Sequence, residues 1–339
     1  MKQIKTQDAV GHIICHDITR IIPGGVKEAA FKKGHVVREE DVPELLKLGK
    51  FNLYVWENNE NMMHENDAAT FIYDMIAGDN MYPTEVNEGK INVIAYKKGL
   101  FTIDTKRLLK LNGVGQIAVA TRHDYSPVKP GDLLAGTRIV PLVIEKEKME
   151  AAKKAVGSKP ILKLTPYTHK KVAIIVTGSE VYEGLIEDGF SPVVIEKLKE
   201  YDAEAVSVVK VPDYTESTTN EIIKAIDSGA DMVMVTGGMS VDPDDKTPLA
   251  IKNTGADIVT YGTPVLPGTM FMLAYLNGKP VMGLPGCVMH SNRTVFDLVI
   301  PRLMADLKVT KEDIDAMGKG GQCLSCGTCI YPNCGFGAV

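Results

Sequence analysis

Three short apolar runs, each closed by a glycine turn, limit what the second half of this chain can become. They are Lys171-Val-Ala-Ile-Ile-Val-Thr177, Met232-Val-Met-Val-Thr236 and Pro280-Val-Met-Gly-Leu284. A strand that is apolar on nearly every residue has to be covered on both faces, which is the condition of strands in a parallel sheet. The stretches between them have the period of amphipathic helices. One is expected to be capped by Ser191 with Pro192 in its first turn, another runs from about Ser217 to Gly229 with Ile222, Ile223 and Ile226 facing inward, a third spans 247–254, and a long one starts at Ser291. A further strand is expected at Ala203 to Val209. This alternation predicts a three-layer α/β domain on a parallel sheet, placed at residues 168–308.

The first half follows a different pattern and predicts a mixed α+β region over residues 1–160. Asp41-Val-Pro-Glu44 opens a short helix that Gly49 stops, and Phe51 to Trp56 alternates as a strand. Residues 62–81 place Ala68, Phe71, Ile72, Met75 and Ile76 on one helical face. Strands are expected at Ile91 to Tyr96, Gln116 to Thr121 and Arg138 to Ile144, with a helix from Thr105 to Leu111. The charged stretch 145–160 ends in Gly-Ser-Lys-Pro and marks the boundary between the halves.

Of the 339 residues, 45% are hydrophobic and 24% charged, which describes a folded chain. A net charge of -5 argues against a nucleic-acid partner, which would favour a basic stripe. No apolar run reaches the length of a membrane span, and the first residues lack the apolar core of a signal peptide, so the expected location is cytoplasmic. Cys15 and Cys287 stand apart and read as small buried hydrophobes.

The chemistry is expected where the three apolar strands end. The turns are Thr177-Gly178-Ser179-Glu180, Thr236-Gly237-Gly238-Met239-Ser240 and Leu284-Pro285-Gly286-Cys287. Parallel strands end on one edge, so the turns should line a single crevice. Glycine lets a ligand approach the backbone, and the outward amides with the following helix starts suit phosphate or another anion. Since such a turn lies outside the sheet, a bulky residue at Gly237 is expected to block the ligand and spare the fold. The second turn continues into Asp242, Asp244 and Asp245. Carboxylates beside an anion call for a divalent cation between them, and oxygen ligation suits Mg2+. Asp245-x-Thr247-Pro248 reads equally well as a helix entry with Asp245 or Thr247 as the cap. Glu180, on the same rim, would share the cation or orient a ligand hydroxyl.

Four of the six cysteines fall in the tail 309–339, as Cys323, Cys326, Cys329 and Cys334 in the run C-x2-C-x2-C-x4-C. Soft thiolates at this density suit Zn2+ or an iron–sulfur cluster. A redox-active or disulfide-bearing tail is the blander alternative. The spacing resembles the bacterial ferredoxin run, with the last gap one residue longer and no proline after Cys334.

The motifs taken together carry a resemblance. Thr177-Gly178-x-Glu180, Thr236-Gly237-Gly238-x-Ser240 with its Asp-rich turn, Gly262-x-Pro264-Val265-x-Pro267-Gly268 and Leu284-Pro285-Gly286 occur in that order. The series resembles the molybdopterin-binding domain of molybdenum cofactor biosynthesis proteins, a family that includes molybdopterin adenylyltransferases and molybdenum insertases. In the first half, Asp8-Ala-Val-Gly11, Asp17-Ile18-Thr19, Phe31-Lys-Lys-Gly34-His35, Val128-Lys-Pro-Gly131-Asp132, Thr137-Arg138 and Pro141-Leu142 resemble a divergent insertase N-terminal region. The chain departs from the insertase pattern at Ser179, where aspartate is more common, and at Cys287, where asparagine is typical. Asp245-x-Thr247-Pro248 is closer to the adenylyltransferases, and the cysteine tail stands where the insertases have a C-terminal barrel.

The resemblance implies an enzyme that binds molybdopterin, free or adenylylated, and loads it with molybdate using Mg2+, a molybdotransferase-like transferase. Glu180, Asp242 and Asp245 would be its catalytic and metal-holding carboxylates. Thr177, Gly178, Ser179, Thr236, Gly237, Gly238, Ser240, Pro285 and Gly286 would hold the ligand. A homodimer is the oligomer that ligand sites at domain junctions favour. The competing reading is a non-catalytic molybdopterin carrier or sensor with a metal-binding tail. A P-loop or Rossmann nucleotide enzyme is disfavoured, since neither G-x-x-x-x-G-K-[ST] nor G-x-G-x-x-G occurs.

Overall fold

The computed structural model of the chain describes residues 2–21, 27–55, 61–243 and 245–338. In the second half, six strands form one sheet: β1 (Lys170–Thr177), β2 (Ala203–Val211), β3 (Met232–Thr236), β4 (Asp257–Tyr261), β5 (Met272–Leu276) and β6 (Lys279–Leu284). Their spatial order is β2-β1-β3-β6-β5-β4. Helices α1 (Ser191–Lys199), α2 (Thr215–Asp227), α3 (Thr247–Asn253) and α4 (Val295–Met304) cover it.

Successive residues of one strand enter different cores, as the two-residue period of a strand requires. Val172, Ile174 and Val176 pack with α1 and α4, whereas Ala173 and Ile175 pack with α2 and α3. Two cores on opposite faces make three layers, as the apolar runs predict. The sheet is not parallel throughout, however. β2, β1, β3 and β6 are parallel, while β5 and β4 run antiparallel to their neighbours. The reason is a hairpin between β5 and β6 whose turn is Asn277-Gly278, both at positive φ. Asn-Gly fits the twist that a two-residue hairpin needs.

α4 is buried along its whole length, from Val295 to Met304. A helix needs cover on all sides to sit that way. The sheet supplies one side and the cysteine tail another, since Phe336 lies in the same core as Phe296, Val299 and Ile300. Pro301 sits inside α4 and has no amide hydrogen, so the Asp297 carbonyl loses its helical donor. The tail repairs this: the Tyr331 hydroxyl donates to Asp297 O at 2.9 Å.

The first half has two cores of its own. A small one gathers Ile14, Ile18, Phe31, Val37, Leu45 and Leu53. A larger one packs helix Glu65–Ile76 on the antiparallel strands Met81–Pro83, Lys90–Ala95, Leu133–Ile139 and Ile117–Thr121. Strand Leu162–Pro166 pairs with Gly99–Ile103 and carries this body past the Gly-Ser-Lys-Pro turn. The first half meets the second where the Arg302 guanidinium lies 3.6 Å from the Tyr125 ring centre, and where Arg122 bonds Asn333 of the tail.

Several sequence expectations shift. Met62–His64 is a strand, so the helix expected from 62 starts at Glu65. The strand expected at Arg138 to Ile144 divides at Pro141 into Leu133–Ile139 and Val143–Glu145, in separate sheets. Ser191 begins α1 without capping it; the Asp188 carboxylate accepts from the Phe190 and Ser191 amides instead. The helix expected from Ser291 starts at Val295 behind Thr294, and Ile223 faces outward. Trp56, the last residue of the strand expected from Phe51, lies outside the described residues.

Candidate ligand-binding edge

Thr177, Thr236 and Leu284 end β1, β3 and β6, and the register aligns them: Val176 pairs with Thr236, and Thr236 with Leu284. The three glycine turns therefore leave one edge side by side. Two further segments reach it. Val211 ends β2 opposite Thr177, which brings Pro212-Asp213-Tyr214 there. Tyr261 ends β4 opposite Met272, so the loop 262–271 projects from the same edge.

The middle turn is built with particular care. Five consecutive carbonyls, from Thr236 to Ser240, each accept a hydrogen bond from the protein. Thr177 Oγ1 donates to Thr236 O at 3.1 Å, Thr247 Oγ1 to Gly237 O at 2.8 Å, and Thr247 N to Gly238 O at 3.1 Å. The Tyr261 hydroxyl shares its proton between Met239 O and Ser240 O, at 3.2 Å each. A trans peptide points its N–H opposite to its C=O. The amides of Gly237 through Val241 are thus turned away from these partners, and a curved run of such N–H groups is a concavity for anions. Gly237 and Gly238 make the curve possible at φ of 90° and 55°. Burial, and then the Asp245 carboxylate, raise the Tyr261 phenol above its ordinary pKa, which keeps the donor protonated.

The other predicted residues take separate places. Thr177 and Thr236 are buried and act as internal ties. The Ser179 amide donates to Asp213 Oδ2 at 2.7 Å, so Asp213 fixes the first turn. The carboxyl of exposed Glu180 folds back over Gly178, within 3.6 Å of where a Cβ on that glycine would stand. Pro285 is buried, whereas Gly286 is exposed and a Cβ there would meet no atom within 4 Å. Ser240 and Asp242 are exposed.

Among the described residues, the carboxylates are not grouped into the cation shell expected of them. Asp245 Oδ2 accepts from the Asp242 amide at 3.1 Å, and the Asp245 amide donates to Asp242 O at 2.9 Å, a local turn motif. Asp244 lies outside the described residues. Among the described residues, no three His, Cys, Asp or Glu side chains are grouped to hold a metal ion. The described residues therefore do not form a preformed Mg2+ site, and Asp245 does not cap the following helix either, since its carboxylate closes the turn on the Asp242 amide. Asp245→Ala removes the acceptor that closes this turn and is expected to cost about 1 kcal/mol, the usual net value of one hydrogen bond, measured as a lower urea midpoint.

The same limit applies to the tail, since Cys323, Cys326, Cys329 and Cys334 are free thiols with no single-ion grouping. All four nevertheless line one cavity of about 320 Å³. Cys287, expected as a buried hydrophobe, is half-buried in the third turn, and burial raises its thiol pKa. Asp213, Tyr261 and Thr247 complete the edge. Asp213 and Tyr261 come from strands whose pairing with the glycine-turn strands is not written locally in the sequence.

Residues 173–305 match the family model described as a probable molybdopterin binding domain, and residues 3–57 match a domain of unknown function. The curated relatives include the molybdopterin molybdenumtransferases of Staphylococcus epidermidis (31% identical over 122 residues, 34% of this chain and 29% of the relative) and Synechococcus elongatus (26% over 183 residues, 51% and 43%). That of Haemophilus influenzae is 27% identical over 194 residues, 55% of this chain and 45% of the relative. The chain thus spans less than half the length of these relatives. Among solved structures, the tungsten cofactor synthesizing protein MoaB from Pyrococcus furiosus is 25% identical, with 36% of this chain and 84% of that chain covered at a TM-score of 0.31. No helix among the described residues is long and apolar enough to cross a membrane. Over residues 173–305, the α/β half of this chain is similar to the domain described as a probable molybdopterin binding domain.

Proposed function

We propose that the chain acts in molybdenum cofactor biosynthesis by holding molybdopterin, free or adenylylated, along the carboxyl edge of the sheet. The observation that supports this is the middle turn, where five consecutive carbonyls are tied back and the amides of Gly237 through Val241 are left facing away. A pterin phosphate is the part of the ligand suited to that concavity. Fixed amide dipoles need no reorganisation when charge arrives, which is how such sites stabilise anions. The first turn, pinned by Asp213, and the exposed Gly286 would flank the phosphate and admit the rest of the ligand. Transfer of molybdenum to the bound ligand is the reaction proposed by analogy with the relatives' names, and molybdate would be its second substrate. Glu180 and Asp242 are exposed on the same rim, free of the turn-closing role of Asp245's carboxylate, and would orient ligand hydroxyls or water.

Gly286→Val tests the placement, because a Cβ there would meet no protein atom within 4 Å. The variant should melt like the wild type and bind molybdopterin at least about tenfold more weakly, a loss of some 1.4 kcal/mol by calorimetry. Unchanged affinity would move the ligand away from this edge.

A further inference from the structure

We propose that the cysteine tail is a site for a four-iron iron–sulfur cluster. A zinc ion draws its four sulfurs onto one point, with bonds of about 2.3 Å. The two ends of this tail are fixed to the fold. The Gly337 amide donates to Gly320 O at 2.9 Å and closes residues 320–337 into a ring. The near side of the ring is fixed by Leu266 N to Gly321 O at 2.9 Å and Cys323 N to Leu266 O at 2.8 Å. The far side is fixed by Phe336 in the α4 core and by the Tyr331 hydroxyl on Asp297 O at 2.9 Å.

Within this frame all four cysteines line one cavity of about 320 Å³. Such a volume equals roughly ten waters at ~30 Å³ each, room for a core of eight heavy atoms. A cluster takes one thiolate at each of four separated irons, which is the arrangement that thiols spread around a cavity provide. Cys323 and Cys334 are half-buried against the α/β core, while Cys326 and Cys329 are exposed and reachable by a donor. Pro267, His290 and Arg293 also line the cavity, and they continue two of the loops at the carboxyl edge. The cluster would therefore share walls with that edge, although the proposal does not depend on what the edge binds.

Loading from a preassembled donor is ligand exchange. Each Cys Sγ–H gives its proton to a departing donor thiolate as the Sγ–Fe bond forms and the donor S–Fe bond breaks, and no electron is transferred. The test incubates the full chain, reduced and anaerobic, with a synthetic thiolate-ligated [4Fe–4S] complex, followed by desalting. Four iron and four sulfide per chain with broad visible absorption are expected. Cys326→Ser with Cys329→Ser should lose the cluster and keep the wild-type melting temperature, because both side chains are exposed. Parallel samples receive zinc or cobalt alone. Three results would each overturn the proposal: one cobalt per chain with a tetrahedral four-thiolate spectrum and no cluster retained, two disulfides in the anaerobically isolated tail, or iron and sulfide retained equally by the double variant. The readout contains no molybdopterin, so its failure is distinct from failure of the proposed function.

Discussion

Asp297→Asn should destabilise the protein by about 3–5 kcal/mol, the range for stripping the partner from buried charges. Asp297 is fully buried at the start of α4. Lys197 Nζ reaches its two oxygens at 3.0 and 3.1 Å, Arg293 Nη1 reaches Oδ1 at 2.8 Å, and the Thr294 amide donates to Oδ2 at 2.8 Å. Asparagine keeps an acceptor for Thr294 and removes the charge facing the other two. Arg293 retains Glu200, but Lys197 is left with the Asn292 carbonyl at 2.8 Å. Urea unfolding should show a lower midpoint at an unchanged slope. Adding Lys197→Met should recover part of the loss, because the stranded charge is then gone. A drop below about 1 kcal/mol, the scale of an exposed pair, would mean that the network is solvated and holds little.

The second large effect is expected at Gly237, where the structure reverses the sequence reading. A Cβ on this residue would stand 2.4 Å from Thr177 O and 2.6 Å from Thr177 Oγ1, at a φ of 90°. The turn is packed against the end of β1, so substitution there disturbs the sheet and does not isolate ligand binding. Gly237→Ala and Gly237→Val should both lose about 3 kcal/mol or more, from backbone strain together with overpacking. The two should be similar, because the clash arises at the first side-chain atom. Thermal melts of both variants check this. Near wild-type stability for alanine would show that the turn can relax away from Thr177.

The differences between sequence and structure have identifiable physical sources. The apolar runs at Lys171–Thr177 and Met232–Thr236 were legible because burial on both faces leaves few polar positions. The antiparallel edge was also written in the sequence, as Asn277-Gly278, yet the apolar residues on either side resemble another buried parallel pair. The glycine turns were visible, and their common edge follows from the parallel strands. Asp213 and Tyr261 were not visible, since each acts on a turn brought near only by sheet order: Asp213 on Ser179, Tyr261 on Met239 and Ser240. The acidic run 242–245 suggested a cation by its charge density, and that the Asp245 carboxylate is occupied by the Asp242 amide could not be read from the sequence. The cysteine spacing showed a thiol-rich site, but the sequence did not show that Phe336 and Tyr331 anchor it to α4.

That anchoring has a consequence for how the chain is made. The ribosome completes α4, with the carbonyl that Pro301 leaves without a donor, before it has added Tyr331 or Phe336. In that interval water must serve the Asp297 carbonyl, and the slot for Phe336 stands open beside Phe296 and Val299. The α/β half is therefore expected to close its core only after the tail emerges. A nascent chain stalled between α4 and Tyr331 should be more open to proteases than the finished protein, even though every strand of its sheet has already been synthesised.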